Sequence, residues 1–286
     1  GAVVLGMGSL GAGMLNTGSD LDLIVIYDPA NVDISQGPRQ LATRSYYARL
    51  TQAMITALTV PMAQGRLYEV DMRLRPSGNQ GPVATSWASF QDYQRHSAWV
   101  WEHLALTRAD YVAGPRDLGQ DIEIFRRDIL NSPRDAKTVL ADVASMRARI
   151  AMAKPPESIW DPKIGAGRMQ DIELFAQTGA LLNGSPARET MSGLQASVAH
   201  GLIDDADRQV LQATYDKCWA LQLASRLLSN GVLRPEDIGE GAMAFVCRTM
   251  GYDDLITLEF ALVDHFEAAK DVIERVVGSG EDKADQ

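Results

Sequence analysis

The stretch Gly6–Tyr27, GMGSLGAGMLNTGSDLDLIVIY, limits what this chain can fold into more than any other. It starts at the end of a short apolar run, Ala2–Gly6. It finishes in Leu21–Tyr27, a run rich in β-branched residues that Asp28-Pro29 stops. Both runs read as buried strands. Between them, the segment after Gly11 contains Asn16, Gly18 and Ser19, which end a helix early. Asp20 and Asp22 stand two apart at the head of the second strand, and a period of two puts both side chains on one face. Adjacent carboxylates repel unless a cation lies between them.

Leu67–Leu74, LYEVDMRL, alternates and reads as a third strand, stopped by Pro76 and Ser77-Gly78. Arg39–Leu58 carries Leu41, Tyr46, Leu50, Met54 and Leu58 at helical spacing. After about residue 110 the strand signals vanish. Helical segments follow, broken at Ser132-Pro133, Pro155-Pro156, Asn183-Gly184-Ser185-Pro186, Gly201 and Arg234-Pro235. The expectation is an α+β chain: a mixed strand and helix domain over 1–115, then an all-α helical bundle over 116–286. Gly278–Gln286 is expected to fray. The chain enters a strand directly after Gly1, which reads as a fragment boundary with an upstream part missing.

Asp71 sits inside the third expected strand. If that strand pairs beside the second, Asp20, Asp22 and Asp71 converge as oxygen ligands of the kind Mg²⁺ takes. Two metals so held activate an attacking oxygen and stabilise a leaving one at phosphorus. The Gly8-Ser9 turn would place backbone N–H groups at a helix start, where phosphate oxygens bind. The plainer alternative leaves Asp20 and Asp22 capping a solvated turn and pairs Asp71 with Arg73 or Arg75. A rival reading takes Gly6, Gly8 and Gly11 as the G-x-G-x-x-G of a dinucleotide fold with Asp28 as the ribose acid. The short gap before Leu21 and the lack of later βα units speak against it.

Of 286 residues, 46% are hydrophobic, which fits a globular chain, and the net charge of -10 disfavours a nucleic-acid partner. No apolar run reaches membrane-spanning length. Cys218 and Cys247 lie in apolar helical contexts without ligand-spaced partners, so free buried thiols in a reducing, cytoplasmic setting are expected. Phe90, Tyr93, Trp99 and Trp101 recur at helical spacing and are expected in a core. His96 and His103 lack a second ligand at metal spacing.

The spacing of Gly8-Ser9 and Asp20-x-Asp22 resembles the signature of the DNA polymerase β-like nucleotidyltransferase superfamily. Within it, GMGSLG…GSDLDLIVIYD resembles the glutamine synthetase adenylyltransferase family, whose motif runs GMGKLGG…SSDLDLIFLYD. The resemblance continues through LYEVDMRLRPSGNQGP (Leu67–Pro82) and FQDYQRHSAWVWEHLALTRA (Phe90–Ala109). It resumes in WDPKIGAGRMQDIELFAQ (Trp160–Gln177), similar to the family's DIKxxxGGxxDIEFxxQ. The helical tail resembles the family only in general pattern.

This resemblance implies a polymerase β-like domain with a small mixed sheet and a helical bundle. It implies transfer of AMP from ATP to a tyrosine of glutamine synthetase, which regulates nitrogen assimilation. YEVDMRLRPSG and Trp99–His103 look more like the adenylylating half than the half that removes AMP by phosphorolysis. That opposite reaction, or a non-catalytic nucleotide-sensing domain, is the alternative. Mg²⁺ is the implied cofactor, and glutamine synthetase and a PII signalling protein are the implied partners. By the matched motif, Asp20, Asp22 and Asp71 are the metal-binding and catalytic carboxylates, and Gly8 and Ser9 cradle the nucleotide. Arg73 and Arg75 contact phosphates or serve as structural salt bridges. Lys163, Asp171 and Glu173 reach the nucleotide or fix a domain interface. Ser9 stands where the family has Lys, Gly11-Ala12-Gly13 loosens its Gly-Gly step, and Arg168 replaces a glycine.

Overall fold

The computed structural model describes residues 1–16, 18–65, 68–229 and 231–278. They form two compact units: Gly1–Ser132 with Gly184–Glu189, and Pro133–Asn183 with the residues from Thr190 onward. Together they make an α+β chain whose strands all lie in the first unit.

The first unit holds a mixed sheet of β1 (Ala2–Gly6), β2 (Leu21–Tyr27), β3 (Val70–Asp71), β4 (Thr85–Ser86) and β5 (Asp110–Ala113). The order is β3-β2-β1-β5, with β4 also on β2. β1 runs antiparallel to β2 and β5, and β3 and β4 run parallel to opposite ends of β2. The antiparallel β1–β2 pair excludes the dinucleotide fold, whose first two strands are parallel and joined by a crossover helix.

The sheet is covered on both faces, and the alternation of β2 divides its side chains between them. Ile24 and Ile26 join Val3, Leu5, Phe90, Ile122 and Phe125 in one core. Leu23, Val25 and Tyr27 pack on the other side with Met72, Ala84, Tyr47, Met54 and Ile55. Helices α3 (Trp87–His96), α4 (Val100–Leu106) and α5 (Arg116–Asn131) serve the first face, and α2 (Thr43–Thr59) the second. Asp22 shares its parity with Ile24 and Ile26, so it lies on the face opposite α2.

Two expected elements are corrected. The third strand is only Val70–Asp71, and Leu67, its expected start, lies outside the described residues. It ends early because the Arg73 N–H turns back onto the Asp71 carboxylate and the Arg75 N–H onto Met72 O. The first long helix starts at Thr43, not Arg39, because an Ile34–Ala42 bridge holds the preceding chain extended.

The second unit contains α6 (Ala136–Ala153), α7 (Met169–Leu182), α8 (Thr190–His200), α9 (Asp205–Leu228), α10 (Glu240–Met250) and α11 (Leu255–Val277). Asp135, Asp204 and Asp254 cap α6, α9 and α11 by accepting a backbone N–H three residues on. α7 is apolar nearly all round and runs through the centre. α8 lies close against it because Gly179 and Gly193 carry no Cβ; one on Gly193 would stand 2.6 Å from Ala176 O. Cys218 and Cys247 are free and buried, as expected. Burial pushes the Cys218 thiol up to about 12, which makes it a packing residue and not a nucleophile. The expected fraying beyond Gly278 falls outside the described residues.

Candidate active site

β1 ends in a tight turn that the sheet itself positions. The Met7 N–H donates to Asp22 O at 2.8 Å, which ties the turn to the head of β2. The single helical turn α1 (Gly8–Gly11) follows at once, with Gly11 N–H bonding Met7 O and Ala12 N–H bonding Gly8 O. The N–H groups of Gly8, Ser9 and Leu10 precede those bonds, as at any helix start. Gly8 has φ +52, and a Cβ there would collide with Asp22 Oδ2. Gly11 has no room for a Cβ either, because Arg108 O and Gly6 O fill the space. Close packing thus accounts for these glycines without a dinucleotide.

Asp71 faces Asp22 directly across the parallel β2–β3 pair. Partners in a parallel register point the same way, so both carboxylates rise from one face of the sheet, and Asp20 precedes the first strand residue, Leu21. Arg73 holds Asp71 in two ways: its backbone N–H donates to Oδ1 at 2.8 Å and its Nε to Oδ2 at 2.7 Å. That hydrogen bond keeps the Asp71 carboxyl below the usual carboxylate range. The Arg73 guanidinium is raised in turn, first by Asp71 and further by the charges of Asp22 and Asp20. Arg73 is therefore the cation of this acidic corner, with an exposed side chain. Among the described residues, no three carboxylate, histidine or cysteine groups stand together as a metal cage.

Arg75 does something else. Its guanidinium donates to Met72 O at 2.7 Å and Gly81 O at 3.3 Å, closing the loop after β3. Gly81 permits this closure, since a Cβ there would overlap Pro76 O. Neither of the two sequence readings foresaw a brace to backbone carbonyls.

Residues 1–124 match the family described as Glutamate-ammonia ligase adenylyltransferase. The chain is 38% identical over 283 residues to the bifunctional glutamine synthetase adenylyltransferase/adenylyl-removing enzyme of Brucella suis, covering 98% of this chain and 29% of that protein. It is 39% identical over 292 residues to the enzyme so named from Agrobacterium fabrum, covering 97% and 29%. For that of Rhizobium meliloti the figures are 40% over 286 residues, 96% and 29%. The chain belongs to this family.

It spans under a third of the length of these adenylyltransferase relatives. The likeness extends through the helical unit, beyond the general pattern that the sequence alone displayed. Two carboxylates of the second motif shared with the family hydrogen-bond within that unit. Asp171 takes Arg147 Nε at 2.6 Å, Arg147 NH2 at 2.8 Å and the Gly167 N–H at 2.9 Å. Glu173 accepts the Tyr215 hydroxyl at 3.0 Å. Lys163 is exposed on the loop before α7. Arg147 escaped notice in the sequence, because nothing in its helical context marks the partner 24 positions on. Arg168, the departure from the family glycine, donates to Ser158 O and Asp161 O and lies 4.5 Å from the Phe266 ring centroid. Its φ of -98 suits any residue, whereas Gly167 has φ +68.

The expected aromatic core holds only in part: Trp99 at 69% and Trp101 at 37% are exposed at the start of α4, unlike Phe90 at 1%. Glu102 was not foreseen as structural; it is buried and accepts the Tyr93 hydroxyl and the Trp99 N–H, fixing the entry to α4. His96 is exposed, and His103 bonds Gln94 O.

Proposed function

We propose that this chain is the adenylylating half of a glutamine synthetase adenylyltransferase and that its first unit is a polymerase β-like nucleotidyltransferase domain. The observation that supports the nucleotidyltransferase reading is the register pairing of Asp22 with Asp71, with the Gly8 turn packed on the Asp22 carboxylate, while the choice of the adenylylating half rests on the resemblance of Tyr68–Gly78 and Trp99–His103. Phosphate-binding N–H groups and two facing carboxylates then share one corner of the sheet.

Asp22 and Asp71, paired in register, supply hard oxygen donors of the kind Mg²⁺ takes; among the described residues Asp20 does not complete a three-group cage with them, so these two are the residues that would hold the ion. When bound, Mg²⁺ neutralises charge on the phosphates and polarises them toward attack. Gly8 and Ser9 hold the nucleotide phosphates by their backbone N–H groups. Arg73 exchanges the Asp71 carboxylate for a phosphate oxygen when ATP arrives. That exchange frees Asp71 and raises its proton affinity. The tyrosine oxygen then attacks the α-phosphorus, the bond to the β-phosphate oxygen breaks, and pyrophosphate leaves. Asp71 takes the tyrosine proton. Arg75 keeps the Met72–Gly81 loop closed beneath Arg73.

The relatives' name also contains adenylyl removal, and phosphorolysis of AMP-tyrosine runs on the same groups with phosphate as nucleophile. Incubation with labelled ATP, Mg²⁺ and unmodified glutamine synthetase decides between them. Label on a tyrosine supports the reading. Release of ADP from adenylylated enzyme and phosphate, with no forward transfer, supports removal. Neither product would leave nucleotide sensing as the remaining role.

A further inference from the structure

The first unit has a second concavity at the sheet edge away from β3, where β5 meets α5. Its volume is about 360 Å³, a size that holds a small molecule. The floor is apolar, formed by Leu5, Leu106 and Ile122, each 2% exposed. Gly119 keeps α5 close to the Tyr111 ring, since a Cβ there would stand 2.5 Å from Cδ2.

The charged groups of the wall fall into two sets. Arg126, Arg188 and Glu123 satisfy one another and the backbone. Arg126 Nε donates to Leu106 O at 2.9 Å and its NH2 to Pro186 O at 3.0 Å, while Arg188 NH2 reaches Glu123 Oε2 at 2.6 Å. Arg116 and Gln120 differ. They stand one helical turn apart on α5, both line the cavity, and both are exposed. Among the described residues, neither side chain makes a hydrogen bond or ion pair. Three guanidiniums and the two carboxylates of Asp110 and Glu123 leave one net positive charge around the cavity.

We propose that this cavity binds a small organic monocarboxylate, its apolar body against the half-buried Tyr111 ring, with Leu5, Leu106 and Ile122 closing the bottom, and its carboxylate on Arg116 and Gln120. One excess positive charge matches a monoanion. A phosphate dianion would face Asp110 and Glu123 with charge left over. The apolar floor requires more than an inorganic anion.

Benzoate is the probe, titrated into the full chain by calorimetry and by saturation-transfer NMR. Benzamide (neutral and of the same shape) and phenyl phosphate are run beside it. Saturable benzoate binding is expected, with benzamide and phenyl phosphate weaker. Arg116→Ala should weaken it about fivefold, the upper value for an exposed ion pair, and Gln120→Ala by less. Both positions are exposed on α5, so the variants should keep their far-ultraviolet dichroism. Unsaturable uptake, equal binding of benzamide, or wild-type affinity in Arg116→Ala would each overturn the proposal.

Discussion

Gly8 and Asp22 are in direct contact: the glycine Cα lies where any side chain would strike Oδ2 of the carboxylate. The contact joins the turn after β1 to the head of β2 and puts backbone N–H groups beside the acidic pair. Gly8→Ala meets two penalties, the left-handed φ of +52 and the collision with Asp22. Gly13→Ala is the control. Its φ is +70, yet nothing lies within 4 Å of the new methyl. Gly13→Ala should cost about 1–2 kcal/mol of strain in thermal unfolding. Gly8→Ala should cost more and should also abolish AMP transfer. Equal costs for the two would mean that the Asp22 contact is unimportant.

Asp71→Asn tests chemistry against location. It keeps the side-chain size and removes the charge that Arg73 and a metal would share. AMP transfer should fall at least about 10²-fold, the lower range for loss of a general base. ATP affinity should change little, because the Gly8-Ser9 turn is untouched, so kcat falls and binding survives. A fully active Asp71→Asn protein would sink the catalytic assignment.

Mg·ATP should stabilise the first unit by mass action, since ligand binds the folded state only. At a hundredfold excess over Kd the gain is about 2.7 kcal/mol, visible as a rise in Tm. Neither ATP without a divalent cation nor Mg²⁺ alone should match it. An unmoved melting curve at saturating Mg·ATP would count against any nucleotide site here.

Arg75→Ala separates the brace from a phosphate contact. Losing the bonds to Met72 O and Gly81 O should lower stability by about 1–3 kcal/mol. ATP affinity measured well below Tm should stay near wild type. A tenfold loss of affinity with an unchanged Tm would reverse this assignment, about 1.4 kcal/mol of binding.

Asp171→Asn leaves the Arg147 guanidinium, 11% exposed, without its counter-charge. Breaking a buried pair from one side costs about 3 kcal/mol, read as a lower midpoint in urea. ATP binding should persist at low denaturant. If binding failed while the midpoint held, Asp171 would belong to the nucleotide and not to the helical core.

Local signals carried some of this arrangement and not the rest. The alternation of Leu21–Tyr27 already assigned Asp22 to the face of Ile24 and Ile26, because side-chain parity in a strand is a local property. Asp20, Asp22, Asp71, Gly8 and Ser9 took their site roles through the matched motif, and strand parity bears only on Asp20 and Asp22 among them. The short β3 was harder to foresee. Its alternation ran on to Leu74, yet Arg73 bonded the Asp71 carboxylate and ended the ladder. A side chain competing with the backbone leaves no mark in a period-two pattern.

The sequence by itself determined β1 and β2 to the residue, because an apolar run with sharp turn signals at its ends is a local property. Only the tertiary structure decided that Asp71 stands opposite Asp22, that Arg147 belongs to Asp171, and that Gly184–Glu189 joins the first unit through Arg126 and Arg188. Those pairings depend on strand register and on chain closures over tens of residues. Their geometry is settled by the packing of whole elements, which no local period encodes.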